Sequence, residues 1–357
     1  TKQTPTYSHN IKSSGKVTLN GTTILGRTNT NNVRIEKNGT LNMNGVVTIE
    51  GTNTNNGIAS LGTVNLSGEV TIQNVAADDI IIWEGGALNV AGKLVAGIRF
   101  DTAVALNVTG ALTDGSDVTV DWAAGKAPTG DAITFKDAAT LNESKRFITL
   151  GSVQAVDHVL IYENTGATLR KLDGIITNDT QLQAVLAELK TNPATVVYKL
   201  TGDIELATAR IDVLAGTNLT LIADAADGDQ ITISRGAYTG VMATVRDGAS
   251  LTILTADGTV DNRELVFVGT SDHAKMITVE GSGKLVLGEG IELSGNTHNS
   301  TGQAIYSNSE TSAQITVIGV YFANNTGSAG GAIRIDKAGT KLIILDSKFI
   351  GNKATTG

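Results

Sequence analysis

The sequence predicts an all-β chain that winds into a solenoid of stacked coils, and three observations lead to this prediction. The 357 residues include 41 glycines, only 3 prolines and 4% aromatic residues, with an apolar share of 41% that is enough for a continuous core. Two parts of the chain repeat at nearly constant spacing, which is typical of repeat proteins. Within the repeats, apolar and polar residues alternate with the period of a half-buried strand.

The first repeat lies in the N-terminal quarter of the chain. Its marker is an isoleucine followed four residues later by glycine, and it recurs at intervals of 24, 23 and 24 residues: Ile11, Ile35, Ile58 and Ile82. After each glycine comes an alternating segment that ends in another glycine: 17–21, 41–45, 64–68 and 88–92. Glycine suits such bends because it enters positive φ at little cost. The pattern predicts a parallel β-helix whose equivalent residues stack about 4.8 Å apart.

Trp83 is the candidate ligand-contact residue of this repeat. It directly follows Ile82, in the position that Lys12, Glu36 and Ala59 take after the other isoleucines. Because side chains alternate across a strand, this column should face outward. An exposed tryptophan is typical of a contact residue, but packing under a neighbouring loop is the favoured interpretation.

One helix is predicted, at 179–190. Asn178 or Asp179 can cap its N-terminus, and Pro193 follows its end. Its apolar residues recur with helical spacing on one face: Leu182, Val185, Leu186 and Leu189. A helix laid across the open end of a solenoid covers unpaired strand edges and apolar core, so we expect a capping helix here.

This helix divides the chain into two predicted domains. Between 114 and 173 the repeat loosens, and we expect irregular coils with inserted loops. The first domain, at 1–174, is then an N-terminal parallel β-helix segment with irregular last coils. The second, at 175–357, is a helix-capped parallel β-helix that is truncated at its C-terminus.

The strongest repeat lies at 303–357, where one unit occurs twice. Three asparagines that close successive units recur after 29 and 27 residues: Asn296, Asn325 and Asn352. Stacked side-chain amides can donate and accept along a column, so we interpret these residues as a structural ladder and not as a binding site. The pattern stops at Gly357, where the next unit would start, and we therefore expect further β-helix coils of the same chain beyond Gly357.

Short motifs of this region resemble those of known bacterial surface proteins. The Gly-Gly-Ala-Ile unit at 330–333 and the Phe-x-x-Asn units at 322–325 and 349–352 resemble the GGAI and FxxN repeats of the chlamydial polymorphic outer-membrane proteins. More broadly, the chain from Asn178 onward resembles the pectin-lyase-like right-handed β-helices of large bacterial surface proteins and adhesins. The resemblance implies the same fold and an extracellular location at a bacterial cell surface.

Composition excludes several other functions. A formal net charge of -8 argues against nucleic acid as a partner, because nucleic-acid binding needs a basic surface. No apolar run approaches the ~20 residues that a membrane-spanning helix needs, so no transmembrane segment is predicted in this stretch. The absence of cysteine excludes disulfides, cysteine metal sites and thiol nucleophiles.

The alternative function is enzymatic, a polysaccharide lyase or glycoside hydrolase of the pectin-lyase-like fold. Such chemistry needs acidic residues concentrated in one groove, with calcium and a basic residue in the lyases. The densest acidic clusters, Asp78-Asp79 and 224–229, fall in predicted turns. Three carboxylates of the second cluster form a candidate calcium loop: Asp224, Asp227 and Asp229. Solvated turn aspartates are the favoured interpretation, and no other cofactor is predicted.

We therefore predict a non-catalytic segment of a large bacterial cell-surface protein, acting as an adhesin or projecting stalk. Its expected partners are a host surface protein or glycan, or neighbouring cells. The two functions differ in one structural feature: an enzyme should have a lateral groove with clustered acidic and basic side chains, whereas an adhesin or stalk should have plain coils.

Overall fold

The computed structural model describes residues 9–356 except 26–29, 52–54, 76, 152–153, 155–156, 164, 226–228, 257–260, 272–274 and 299–302. The chain divides into two compact units, unit 1 at Thr1–Lys171 and unit 2 at Leu172–Gly357, and the predicted division was at 174/175. Together they contain about 12 turns of a parallel β-solenoid, with 50% strand and 7% helix. The predicted all-β, parallel β-helix fold class is confirmed.

Unit 1 is built from short strands that pair with the equivalent strands of the next coil. Its strands in the described residues are β1 (Ile11–Ser13), β2 (Lys16–Leu19), β3 (Thr22–Leu25), β4 (Val33–Ile35), β5 (Thr40–Met43), β6 (Val46–Glu50), β7 (Ile58–Ser60), β8 (Thr63–Leu66), β9 (Glu69–Gln73), β10 (Ile80–Ile82), β11 (Ala87–Phe100), β12 (Leu106–Leu112), β13 (Asp117–Trp122), β14 (Asp131–Phe135), β15 (Ile148–Leu150), β16 (His158–Glu163) and β17 (Gly166–Lys171).

Three rows of parallel pairs form the faces of unit 1. They run β1-β4-β7-β10-β11, β2-β5-β8-β11-β12-β14 and β3-β6-β9-β11-β13-β15, with the long strand β11 taking part in all three. In the second row Leu41, Val64 and Leu88 stack in register and are fully buried, as the alternating pattern predicts. The core of unit 1 therefore consists of ladders of apolar side chains inside the coils.

The four isoleucines do not form the single column that was predicted, because the register of every second coil differs by two residues from the prediction. Ile11 pairs with Val33 and not with Ile35, and Ile58 pairs with Ile80 and not with Ile82. In these three-residue strands both end residues point inward, so the apolar pattern fits either register equally well. The length of the following loop decides between them, since two residues separate β1 from β2 and β7 from β8, whereas four separate β4 from β5 and β10 from β11.

The last coils of unit 1 contain a helix and a hairpin that the sequence did not predict. Helix α1 (Ala138–Ser144) continues into a 3₁₀ turn at Lys145–Phe147, and Asp137 caps α1 by accepting the Thr140 N–H at 2.8 Å. Strands β16 and β17 pair antiparallel, and β17 also pairs antiparallel with β14. Seven residues are too few to show a helical period, which explains why α1 was missed.

Unit 2 follows the same plan with three parallel sheets. Its strands in the described residues are β18 (Gly174–Ile176), β19 (Thr195–Leu200), β20 (Ile204–Leu206), β21 (Ile211–Val213), β22 (Asn218–Ala223), β23 (Ile231–Arg235), β24 (Ala243–Val245), β25 (Ser250–Thr255), β26 (Leu265–Val268), β27 (Ile277–Val279), β28 (Lys284–Leu287), β29 (Ile291–Ser294), β30 (Ile305–Ser307), β31 (Gln314–Ile318), β32 (Tyr321–Ala323), β33 (Thr326–Gly327), β34 (Ile333–Ile335), β35 (Lys341–Leu345), β36 (Lys348–Ile350) and β37 (Lys353–Ala354). The sheets run β18-β19-β22-β25-β28-β31-β35, β20-β23-β26-β29-β32-β36 and β21-β24-β27-β30-β34, and β33 pairs with β37.

Helix α2 (Asp179–Thr191) opens unit 2, as predicted for 179–190. Asn178 is its N-cap, and the Asn178 side chain accepts the Gln181 N–H at 3.1 Å. Three leucines of the predicted apolar face are buried in the core of unit 2: Leu182, Leu186 and Leu189. The apolar face of the helix therefore covers the first coils of the unit.

The last coil of unit 2 leaves its apolar ladder open. Phe322 is fully buried and stacks on Phe349 with ring centroids 4.6 Å apart, whereas Phe349 itself is 45% exposed. Ile344 continues the ladder of the buried Val317 and is 42% exposed. An apolar surface of this kind gains stability when another coil stacks on it.

Candidate functional site

The three asparagines predicted as a ladder lie in one column at a corner of unit 2. The backbone N–H of Asn296 donates to Oδ1 of Asn325 at 3.1 Å, and that of Asn325 donates to Oδ1 of Asn352 at 3.1 Å. Asn325 Nδ2 also donates to the Leu293 carbonyl O at 2.9 Å. Asn296 and Asn325 are fully buried. The column therefore satisfies backbone groups of successive corners.

The side chain of Arg235 joins this column, a role that the sequence did not indicate. Its guanidinium, which is almost completely buried, donates to Asn296 Oδ1 at 3.2 Å, to the Gly240 carbonyl O at 3.0 Å and to the Lys275 carbonyl O at 2.9 Å. Burial lowers the pKa of this guanidinium to about 10. In the coil between Arg235 and Asn296, Thr270 occupies the position that Asn296 takes in the next coil. The long arginine side chain therefore spans a coil that has no asparagine in this column.

We expect Asn325→Ala to lower the free energy of unfolding of unit 2 by about 1 to 3 kcal/mol, because the substitution leaves the Asn296 N–H and the Leu293 carbonyl buried without these partners. Urea denaturation followed by circular dichroism measures the effect. Asn218→Ala is the matched control, since Asn218 is exposed and should change stability by no more than about 0.5 kcal/mol. Equal stabilities of the two variants would contradict the structural role of the column.

Trp83 lies directly after β10 and is half-buried. Its backbone N–H donates to the Ser60 carbonyl O at 2.9 Å, so its neighbour in the previous coil is Leu61 and not the predicted Ala59. The Arg34 guanidinium lies over the indole ring, 5.5 Å from the centroid. The ring therefore already has a cationic partner on one side, and a role for Trp83 in ligand contact stays a prediction.

The predicted calcium loop is described only in part, because Asp227 lies outside the described residues. Asp224 forms an ion pair with Lys199 at 2.6 Å, and Asp229 is exposed. Across the described part of the chain, no group of three or more His, Cys, Asp and Glu side chains is arranged to hold a metal ion. The calcium site stays a prediction.

A concave cleft lies on the outer face of unit 1, where the sequence had only indicated an acidic turn. It has a volume of about 180 Å³, and its polar lining comes from three successive coils: Asp78, Asp79, Arg99, Thr119 and Asp121. Gly97 opens the cleft, since it takes an outward position of β11 without a side chain, and its N–H donates to Asp79 Oδ2 at 2.7 Å. Arg99 Nη1 lies 3.9 Å from Asp78 Oδ2.

The comparisons with known proteins came out negative. No family model, curated protein or solved structure matches this chain. The cleft and the columns are therefore interpreted from their own chemistry. None of the described helices is long and apolar enough to span a membrane.

The two aspartates of the cleft have raised pKa values. Burial raises the pKa of the Asp79 carboxyl, and the neighbouring Asp78 adds to this, whereas the hydrogen bond from Gly97 opposes it. Burial likewise raises the pKa of the Asp78 carboxyl, against the nearby charge of Arg99. A raised carboxyl pKa means that the charged form is less favourable in the folded protein than in the unfolded chain.

This shift predicts that Asp79→Asn stabilises unit 1 at pH 7 and that the gain disappears as pH falls through the folded pKa of Asp79 to its ordinary value of 3.8. Asp137→Asn, in the same unit, should destabilise unit 1 at pH 7. The Thr140 hydrogen bond lowers the pKa of Asp137, so the contribution of the Asp137 carboxylate to stability is present above its ordinary pKa of 3.8 and is lost as pH falls through the folded pKa. Urea denaturation at pH 7 and pH 3.5 measures both differences. A loss of stability in Asp79→Asn at pH 7 would contradict the burial argument.

A second outward cluster lies on unit 2, around Tyr306. Lys275 Nζ lies 3.9 Å from the ring centroid, the Arg334 guanidinium lies 5.9 Å from it, and the Tyr306 hydroxyl donates to Asp336 at 3.0 Å. Arg334 Nε also pairs with Asp336 at 2.7 Å. The half-buried ring between two cations is the kind of amphipathic residue that contact surfaces use. The sequence did not indicate it because its members lie in three different coils.

Proposed function

We propose that this chain is a non-catalytic segment of a large bacterial cell-surface protein, an adhesin or projecting stalk that acts outside the cell. Its partners are a host surface protein or glycan, or a neighbouring cell. The likeness of the Gly-Gly-Ala-Ile and Phe-x-x-Asn units to repeats of bacterial surface proteins supports the location.

The observation that carries this proposal is the regular repetition of outward residues over successive coils. In both units equivalent positions pair in register from coil to coil, for example Thr40 with Thr63 in unit 1 and Thr252 with Val286 in unit 2. A solenoid of this kind presents an extended, fixed surface, which is how repeat proteins bind large partners. The Tyr306 cluster adds an aromatic contact point to that surface.

The enzymatic alternative is less well supported by the cleft of unit 1. Its volume of about 180 Å³ is below the roughly 300 to 1,000 Å³ of typical small-molecule sites. The Asp79 carboxylate accepts a backbone hydrogen bond, and Arg99 pairs with Asp101 at 3.1 Å as well as facing Asp78. These groups already satisfy one another, whereas a catalytic acid and base need free access to a substrate.

Binding of the whole chain to a glycan array and to immobilised host matrix proteins tests the proposal. Beads that carry the folded chain should bind at least one ligand class in a saturable manner, and beads that carry heat-unfolded chain should not. Tyr306→Ala serves as a probe of the aromatic cluster. Binding that never exceeds that of blocked beads, over the array and the matrix proteins together, would contradict an adhesive function.

A further inference from the structure

One face of unit 1 carries an uncharged ladder of amide and hydroxyl groups. Its central column consists of the outward residues of successive coils: Thr18, Asn42, Asn65, Asn89, Asn107 and Thr134. Each member is hydrogen-bonded to the next, with donor–acceptor distances of 3.4, 2.8, 2.7, 3.0 and 2.8 Å. We call the outward side of this row of strands the amide face.

Two flanking columns complete the amide face. On one side lie Lys16, Thr40, Thr63 and Ala87, and on the other lie Asn20, Asn44, Ser67, Ala91, Thr109 and Lys136. In the second column Asn44 donates to Asn20 at 3.1 Å, and Ser67 donates to Asn44 at 2.9 Å. Lys16 and Lys136, one at each end of the face, are the charged residues of the three columns, in a chain of which 17% is charged.

The ladder leaves hydrogen-bonding groups available at regular spacing. A side-chain amide has two N–H donors and an oxygen with two lone pairs, and the ladder uses one donor and one lone pair of each asparagine. Each of Asn42, Asn65 and Asn89 is half-exposed, so one donor and one acceptor per coil remain for a ligand. Successive coils repeat this pair about every 4.8 Å, and alternate residues of a strand lie about 6.7 Å apart.

The ladder also fixes these side chains before any ligand arrives. An asparagine held by its neighbours on both sides has already lost its rotamer freedom, so binding costs less conformational entropy. The inward partners of the same strands, among them Leu41, Val64 and Leu88, are fully buried and hold the backbone in place. The amide face is therefore a pre-organised array of neutral donors and acceptors.

We infer that the amide face binds a neutral polysaccharide through its ladder of asparagine and threonine side chains. Vicinal hydroxyls of a sugar both donate and accept, which matches the free donor and acceptor of each amide. An extended chain repeats these groups, so contacts on several coils add through multivalency. This inference rests on the proposed adhesive function and specifies its ligand class.

Charge and composition distinguish this ligand from other partners. An anionic polysaccharide would need several basic residues close together, and the three columns offer only Lys16 and Lys136, at opposite ends. A protein partner is usually held by buried aromatic anchors, and the three columns contain no aromatic residue. A neutral, polyhydroxylated polymer fits a neutral, hydrogen-bonding surface.

Pull-down of the whole chain on microcrystalline cellulose and cross-linked dextran, with alginate beads as the anionic counterpart, tests the inference. We expect the chain to bind at least one neutral polymer more than tenfold better than alginate. The double variant Asn65→Lys and Asn89→Lys should lose at least tenfold in this binding. The matched control is Thr48→Lys with Thr71→Lys, two half-buried and adjacent outward residues of another row of strands.

A second variant keeps the test independent of ladder stability. Thr40→Lys with Thr63→Lys places charge on a flanking column without removing an asparagine, and its expected loss of binding is also at least tenfold. Preference for alginate, or unchanged neutral binding in both amide-face variants, would overturn the inference. If the chain binds array or matrix ligands but neither neutral polymer, the inference fails while the adhesive function stands. If it binds nothing in either assay, both fail.

Discussion

Replacing Gly62 with alanine is expected to destabilise unit 1 by about 3 kcal/mol or more. A Cβ at position 62 would overlap the Gly39 carbonyl O and lie 2.8 Å from the Glu36 carbonyl O. Both atoms belong to the backbone of the adjacent coil, where the Gly39 carbonyl accepts the Thr63 N–H at 2.9 Å. A flexible side chain could move away, but this carbonyl moves only if the pairing of the two coils is broken.

Gly130→Ala is the matched control, because no heavy atom lies within 4 Å of a Cβ at that position. It should change stability by no more than about 0.5 kcal/mol. Both tryptophans of the chain, Trp83 and Trp122, lie in unit 1, so urea denaturation followed by tryptophan fluorescence reports on this unit. A Gly62→Ala variant as stable as Gly130→Ala would show that adjacent coils do not approach as closely as the structure indicates.

Phe322→Ala is expected to destabilise unit 2 by about 3 to 5 kcal/mol. The ring is fully buried, stacks on Phe349 and continues a column formed by Phe267 and Leu293. Its removal leaves a cavity between two coils that the backbone ladders hold at fixed spacing. Urea denaturation followed by circular dichroism measures the loss, and the tryptophan fluorescence transition of unit 1 gives an internal reference.

Phe349→Ala provides the matched comparison with the same residue type one coil further on. Phe349 is 45% exposed, so less apolar surface returns to water and no enclosed cavity forms. We expect less than half the effect of Phe322→Ala. Equal losses for the two variants would mean that the last coil is as well covered as the one before it.

Periodicity made most of this fold predictable. The alternating segments after each glycine of unit 1 became β2, β5, β8 and the start of β11, and the helix predicted at 179–190 became α2. Both patterns are local, because a strand or an amphipathic helix shows its buried face in a few consecutive residues. The asparagine column was visible for the same reason, since its members recur at a nearly constant interval.

Register was not predictable from the same patterns. Val33 and Ile35 are both fully buried, so the apolar pattern could not decide which of them stacks on Ile11.

The role of Gly62 also differed from the role that the sequence predicted. The sequence suggested positive φ for the glycines of its column, whereas the structure shows positive φ at Gly85 and a need for space at Gly62. Contact between coils depends on loop length, which a local pattern does not contain.

The sites depended even more on contacts between coils. Asp79, Gly97 and Thr119 form one edge of the cleft only because loops of different length bring them to the same row. Arg235 meets Asn296 across a separation of 61 residues, and its sequence neighbourhood reads as the end of an ordinary strand. Outward columns such as the amide face carry no apolar signal, so they become visible only once the register is known.

The chain length of a bound polysaccharide after prolonged incubation with the protein separates binding from catalysis most directly. If the solenoid holds its ligand at the lateral surface, size-exclusion chromatography should recover the polymer unchanged, with no new reducing ends and no unsaturated sugars. Shortened chains would contradict a non-catalytic function, and the contradiction would be complete if Asp79→Asn or Arg99→Ala in the cleft abolished the shortening while binding persisted.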